Sequence, residues 1–91
     1  MIRKTVEQFS RVDILVNNAV RDFKPTPFLK LDWDDVQKDI DVTLKGAFNC
    51  CKEVIPLMLS SGGGKIINIS TVAVETHPAN QAKYVCSKSA I

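Results

Sequence analysis

The sequence predicts an α/β fold taken from the middle of a doubly wound parallel sheet, with two strands flanked by helices. Two short apolar runs carry the prediction, Val12–Val16 (VDILV) and Lys65–Ser70 (KIINIS), each followed by polar residues and a loop. Between them, Asp32–Ser60 repeats apolar residues at steps of three and four, the period of a helix. Strands joined by a helix of this length run parallel, with a right-handed crossover.

Met1–Arg11 reads as the last turns of an amphipathic helix, with Ile2, Val6 and Phe9 at helical spacing. No capping residue stands ahead of it, so the chain is expected to begin inside an element. VDILV is nearly continuous in apolar character, which suits a strand buried on both faces. Asn17 and Asn18 then fall at its carboxyl end. That edge of an open α/β sheet is where ligands bind, although asparagines also simply satisfy backbone groups in turns. Arg21–Leu31 carries Pro25 and Pro27 and is excluded from regular helix. Together with Asn18–Val20 it makes a loop of a length usually functional or mobile.

Asp32 is placed to cap the long helix, with Asp34 and Asp35 facing the positive end of its dipole. Its apolar side runs through Val36, Ile40, Leu44, Ala47, Cys51, Val54, Ile55 and Met58. The stripe is broad enough to be either plain core or partly buried against another subunit. Pro56 is expected to kink or end the last turns, and Gly62, Gly63 and Gly64 stop the helix. After the KIINIS strand, Thr71–Asn80 reads as a polar loop containing Pro78. His77 lies there with no second group placed to orient it, and is read as a loop residue. A last helix covers Gln81–Ile91.

The composition, 45% hydrophobic and 24% charged over 91 residues, fits a folded body of one small domain or less. A net charge of +2 with scattered basic residues gives no footprint for nucleic acid. No apolar run approaches the ~20 residues that a membrane span needs. The mixed N-terminus lacks the apolar core of a signal peptide. A cytoplasmic protein is expected. Three cysteines, Cys50, Cys51 and Cys86, lack the spacing of a disulfide framework or a metal site, and are expected to be small buried side chains.

Within the last helix, Tyr84 and Lys88 stand four apart, on one face and one turn from each other. An ammonium beside a phenol favours the charged phenolate. It also equips the tyrosine to pass a proton to or from an alcohol or carbonyl oxygen. The pair alone is equally a solvated helix surface. Its weight comes from the rest of the chain.

An apolar strand ending in Asn17-Asn18-Ala19, a long helix containing Leu44-Lys45-Gly46-Ala47-Phe48, the strand IINIS, and Tyr84 with Lys88 thirteen residues beyond Thr71 form an ordered set. Over essentially all 91 residues this resembles the short-chain dehydrogenase/reductase family, particularly its 3-oxoacyl-carrier-protein reductase-like members. The resemblance implies a Rossmann-type fold and hydride transfer between NAD or NADP and an alcohol or carbonyl carbon of a small-molecule substrate. By position it implies that Tyr84 is the general acid/base, supported by Lys88. Thr71 stands where the family usually has its catalytic serine, and Thr43 stands where it has an asparagine that holds a helix distortion and a relay water. Asn17, Ala19, Val20, Ile69 and Ser70 fall in segments that line the cofactor, as do Tyr84 and Lys88. Asn17 is also expected to tie neighbouring strands. Helices of this region form dimers in the family, so a homo-oligomer (dimer or tetramer) is implied, with no nucleic acid, membrane or metal.

Three departures qualify the resemblance: Val20 where glycine is usual, Thr71 for serine and Thr43 for asparagine. The glycine-rich pyrophosphate turn is not among the 91 residues. Residues 1–91 are therefore expected to be the central part of one NAD(P)-binding domain, truncated at both ends and inactive alone. The alternative is a non-catalytic binding or dimerisation module of the same fold.

Overall fold

A computed structural model describes all 91 residues. Helix α1 (Ile2–Phe9) leads to strand β1 (Ile14–Asn17). A loop containing one 3-10 turn (Phe28–Lys30) follows, and then α2 (Trp33–Ile40). A π-helical turn (Asp41–Lys45) joins α2 to α3 (Gly46–Ser60). Strand β2 (Lys65–Asn68), a four-residue helix α4 (Ala73–Thr76) and α5 (Ala82–Ser89) complete the chain.

The two strands are parallel neighbours, with Ile14 opposite Lys65 and Asn17 opposite Asn68. The crossover between them is α2, the π turn and α3, as the apolar periodicity predicts. Asp32 caps α2 by accepting the Asp35 N–H at 3.0 Å. The far end of α3 closes as a Schellman motif. The Gly63 N–H reaches the Met58 carbonyl at 2.7 Å and the Gly62 N–H reaches that of Leu59 at 3.4 Å. Both glycines have positive φ, +95° and +126°, where a Cβ would be strained. Helix α3 runs through Pro56 and continues to Ser60, so the proline does not end it.

The core is small. Ile2 from α1, Leu15 from β1, and Val54 and Met58 from α3 form one buried cluster, flanked by Val12, Cys50, Cys51 and Ile66. Burying each large side chain contributes about 1.5–3 kcal/mol. The radius of gyration is 15.7 Å, against roughly 12 Å for a compact chain of this length. The molecule is a slab, and much apolar surface stays open.

That openness corrects two expectations. Strand β1 is buried on one face only: Leu15 and Asn17 point inward, while Ile14 and Val16 are more than half exposed. Helices α1 and α3 cover one side of the sheet, and no element of the chain covers the other. The cysteines are not fully buried either. Cys50 and Cys51 are half-buried, Cys86 is exposed, and all three are free thiols. Helix α4 is a further difference. The segment Thr71–Asn80, read as loop, makes one helical turn that ends at His77 in the left-handed region (φ 48°).

Candidate active site

The chemistry-bearing residues gather at the carboxyl ends of the two strands and on α5. Asn17 and Asn68 close the strand pair. The Asn17 amide donates to the Asn68 side-chain oxygen at 2.8 Å, and its nitrogen lies 3.5 Å from the Cys51 sulfur. Asn17 is the inward-facing last residue of β1 and is 8% exposed. The expected strand tie is therefore present, formed between side chains.

Helix α5 contains no Gly or Pro and buries Lys83, Ser87 and Lys88. Lys88 is 2% exposed, and its ammonium donates to the Ile69 carbonyl at 2.7 Å. An ammonium has three donors, and this bond engages one. The bond fixes α5 to the residue just beyond β2. Tyr84, one turn earlier, is half-buried. Its ring meets that of Phe23 edge to face, with centroids 5.3 Å apart and planes at 72°.

Thr71 is half-buried, and its hydroxyl oxygen accepts the Ala73 N–H at 3.3 Å. That bond uses a lone pair and leaves the O–H proton free to donate. The turn it stabilises leads into α4, which packs on α5. Ser87, 1% exposed, donates back to the Tyr84 carbonyl at 3.0 Å.

Thr43 lies within the π turn Asp41–Lys45 and is 4% exposed. Its hydroxyl makes no hydrogen bond within the chain. The turn that carries it packs against α5. Asn17, Asn18 and Ala19 share with Thr43 and Gly46 the wall of an open cleft of about 190 Å³. The cleft is mostly apolar, with buried polar groups at its floor. Tyr84 and Lys88 are not in its lining. Val20, Ile69 and Ser70 are exposed beside the strand ends.

Sequence reasoning missed one partly buried ion pair. Arg21 reaches from the loop to Asp39 of α2 at 3.0 Å, and also bonds the Asp35 carbonyl at 3.3 Å. The Asp39 side chain is only 10% exposed. An acidic residue among the apolar positions of α2 was the available signal. Its partner lies eighteen positions away, across an irregular loop, where periodicity cannot point.

A nicotinamide cofactor can be tested against these groups. Spare donors on a buried ammonium, a half-buried phenol and an apolar cleft floored by amide and hydroxyl groups suit the ribose and ring of a nicotinamide. None of the chain's four glycines forms a phosphate-cradling turn after a strand. The residues present fit one half of a dinucleotide.

A family model described as short chain dehydrogenase matches residues 1–91. The chain is 42% identical to the 3-oxoacyl-[acyl-carrier-protein] reductase FabG of Staphylococcus aureus, covering all of this chain and 37% of that protein. It is also 42% identical to the 3-oxoacyl-[acyl-carrier-protein] reductase of Synechocystis sp., covering 36% of it. The chain thus spans little more than a third of the curated relatives it matches. Among solved structures, an NAD+-bound xylitol dehydrogenase superposes with a TM-score of 0.87 at 30% identity, over 98% of this chain and 34% of that one. A dehalogenation enzyme superposes with a TM-score of 0.89 at 25% identity, over 98% and 36%.

Proposed function

This chain belongs to the short-chain dehydrogenase family, and from that premise we propose that the protein carrying it is an NAD- or NADP-dependent oxidoreductase acting on an alcohol or carbonyl carbon. Its 3-oxoacyl-[acyl-carrier-protein] reductase relatives support a 3-oxoacyl group as the first substrate class to try. The 91 residues then form the central part of one NAD(P)-binding domain, a reading supported by their share of the relatives' length. The observation that carries the proposal is the Lys88–Ile69 bond, which fixes the Tyr84 helix at the strand ends.

In this reading Tyr84 exchanges a proton with the substrate oxygen. Lys88 holds a positive charge one turn away and keeps donors for a ribose hydroxyl. Thr71, its oxygen occupied by Ala73, donates its hydroxyl proton to the same substrate oxygen. Asn17, Ala19, Val20, Ile69 and Ser70 line the approach of the nicotinamide half. A bound nicotinamide supplies or accepts the hydride. Thr43 offers a hydroxyl on the cleft wall for proton relay.

A second reading, a non-catalytic module of the same fold, rests on Thr71 standing in the place of the family's usual serine and Thr43 in that of its asparagine. Helix α3 also exposes Phe48 and Ile55, 61% and 42%, as a face suited to a second copy of the chain. The deciding experiment assays the full-length protein with NADPH and NADH against ketones and 3-oxoacyl thioesters. Turnover lost in Tyr84→Phe with folding intact supports catalysis. Turnover unchanged in that variant removes Tyr84 from the role.

A further inference from the structure

We propose that Phe23 is a positioning residue for the Tyr84 ring, carried on a loop that is pinned on both sides of it. The proposal rests on the reading of Tyr84 as the proton-transfer group.

Phe23 lies in a stretch without regular structure, and it is 51% exposed, so it is not a core residue. The loop around it is nonetheless fastened. Arg21, just before it, is held by Asp39 at 3.0 Å and by the Asp35 carbonyl. Thr26, just after it, donates its backbone N–H to the Asn80 carbonyl at 2.8 Å. Asn80 lies immediately ahead of the Tyr84 helix. One pin therefore ties the loop to α2 and the other to the lead-in of α5. Pro25 narrows the backbone freedom left between them.

An aromatic neighbour acts on Tyr84 in a way an aliphatic one does not. Edge-to-face pairing is directional, because the ring quadrupole sets a positive edge against a negative face. The pair therefore prefers one plane for the phenol ring. Rotation of that ring leaves its oxygen in place but turns the plane in which the O–H bond lies. Proton transfer needs that bond aimed at an acceptor within hydrogen-bond reach. The pinned loop thus sets the direction of the phenol proton through Phe23.

The test uses the full-length protein with 3-fluorotyrosine incorporated, the Tyr84 resonance being identified by its loss in Tyr84→Phe. Replacing Phe23 by Leu or Met keeps bulk and removes the ring. The expected result is a Tyr84 resonance that shifts in both variants, a kcat lower by about three- to tenfold, and a KM within about twofold of the parent. Phe23→Tyr restores all three. An unmoved resonance in both variants shows that the rings do not meet in solution and overturns the proposal. So does an unchanged kcat, or a KM that moves in place of kcat, which makes Phe23 a substrate contact. Full turnover in Tyr84→Phe fells the proton-transfer reading instead, while the resonance still reports whether Phe23 holds the ring.

Discussion

The ammonium of Lys88 donates to the carbonyl of Ile69 at 2.7 Å from a site only 2% open to solvent. A lysine that buried is held by its partner and not by chance packing. The bond joins the helix that carries the phenol to the end of the sheet, so one side chain serves both architecture and chemistry.

Lys88→Met is expected to separate those roles. Loss of the bond costs about 1–2 kcal/mol, since Ile69 is exposed enough for water to replace part of it. Turnover of the full-length protein is expected to fall about 100-fold or more, the scale of general acid–base assistance. Lys88→Arg should not restore it, because a planar fork does not fit a site shaped for a compact ammonium. Denaturant titration alongside steady-state rates checks this. A turnover loss no larger than the stability loss accounts for would make Lys88 merely structural.

The Asn17–Asn68 bond at 2.8 Å should show as coupling between the strand ends. Asn17→Ala is expected to cost about 1–3 kcal/mol, because it opens a buried position and strands a polar partner. Asn68→Ala should cost less, as Asn68 is exposed to solvent although it shares the covered face with Asn17. A double-mutant cycle by urea unfolding should return a coupling of about 1 kcal/mol. Strict additivity would mean that the two amides are joined only through water.

For Arg21 and Asp39 the expected effects are unequal. Arg21→Ala leaves a carboxylate that is 10% exposed without its cation, whereas Asp39→Ala leaves an arginine that is 32% exposed and still near Asp35. Uncompensated buried charge is the costlier state. Arg21→Ala should therefore destabilise by more, roughly 2–4 kcal/mol against 1–2 for Asp39→Ala. Thermal unfolding of both variants tests the order. A reversed order would show that Asp39 reaches water without Arg21.

What the sequence revealed was local or periodic. The order of strands and helices, the Asp32 cap, the glycine stop after α3 and the Tyr84–Lys88 spacing all follow from steps of two, three or four residues, or from one residue's backbone chemistry. What it concealed was long-range or compensated. Arg21 finds Asp39 only once the loop has folded back on α2. The π turn at Asp41–Lys45 interrupts a pattern whose apolar steps run straight through it, because one extra residue per turn barely disturbs a broad stripe. Cys86 was expected to be buried, yet it falls on the exposed side of α5. The one-sided burial of β1 escaped notice for a related reason: Ile14 and Val16 are apolar whether or not anything covers them.

Thr43 gives the sharpest separation of stability from function. Its side chain is buried in the π turn, and its hydroxyl makes no hydrogen bond within the chain. Valine has nearly the same shape and removes only the hydroxyl. Where no protein partner is lost, such a change costs little, so Thr43→Val should leave the unfolding midpoint within about 1 kcal/mol of the parent. If the hydroxyl relays protons, turnover should fall by about tenfold or more while KM stays put, the pattern of an interaction made only in the transition state. Thr43→Ser retains the hydroxyl and should keep most of the turnover. A valine variant as active as the parent would show that the π turn matters for packing alone, and that proton relay in this protein runs through another group.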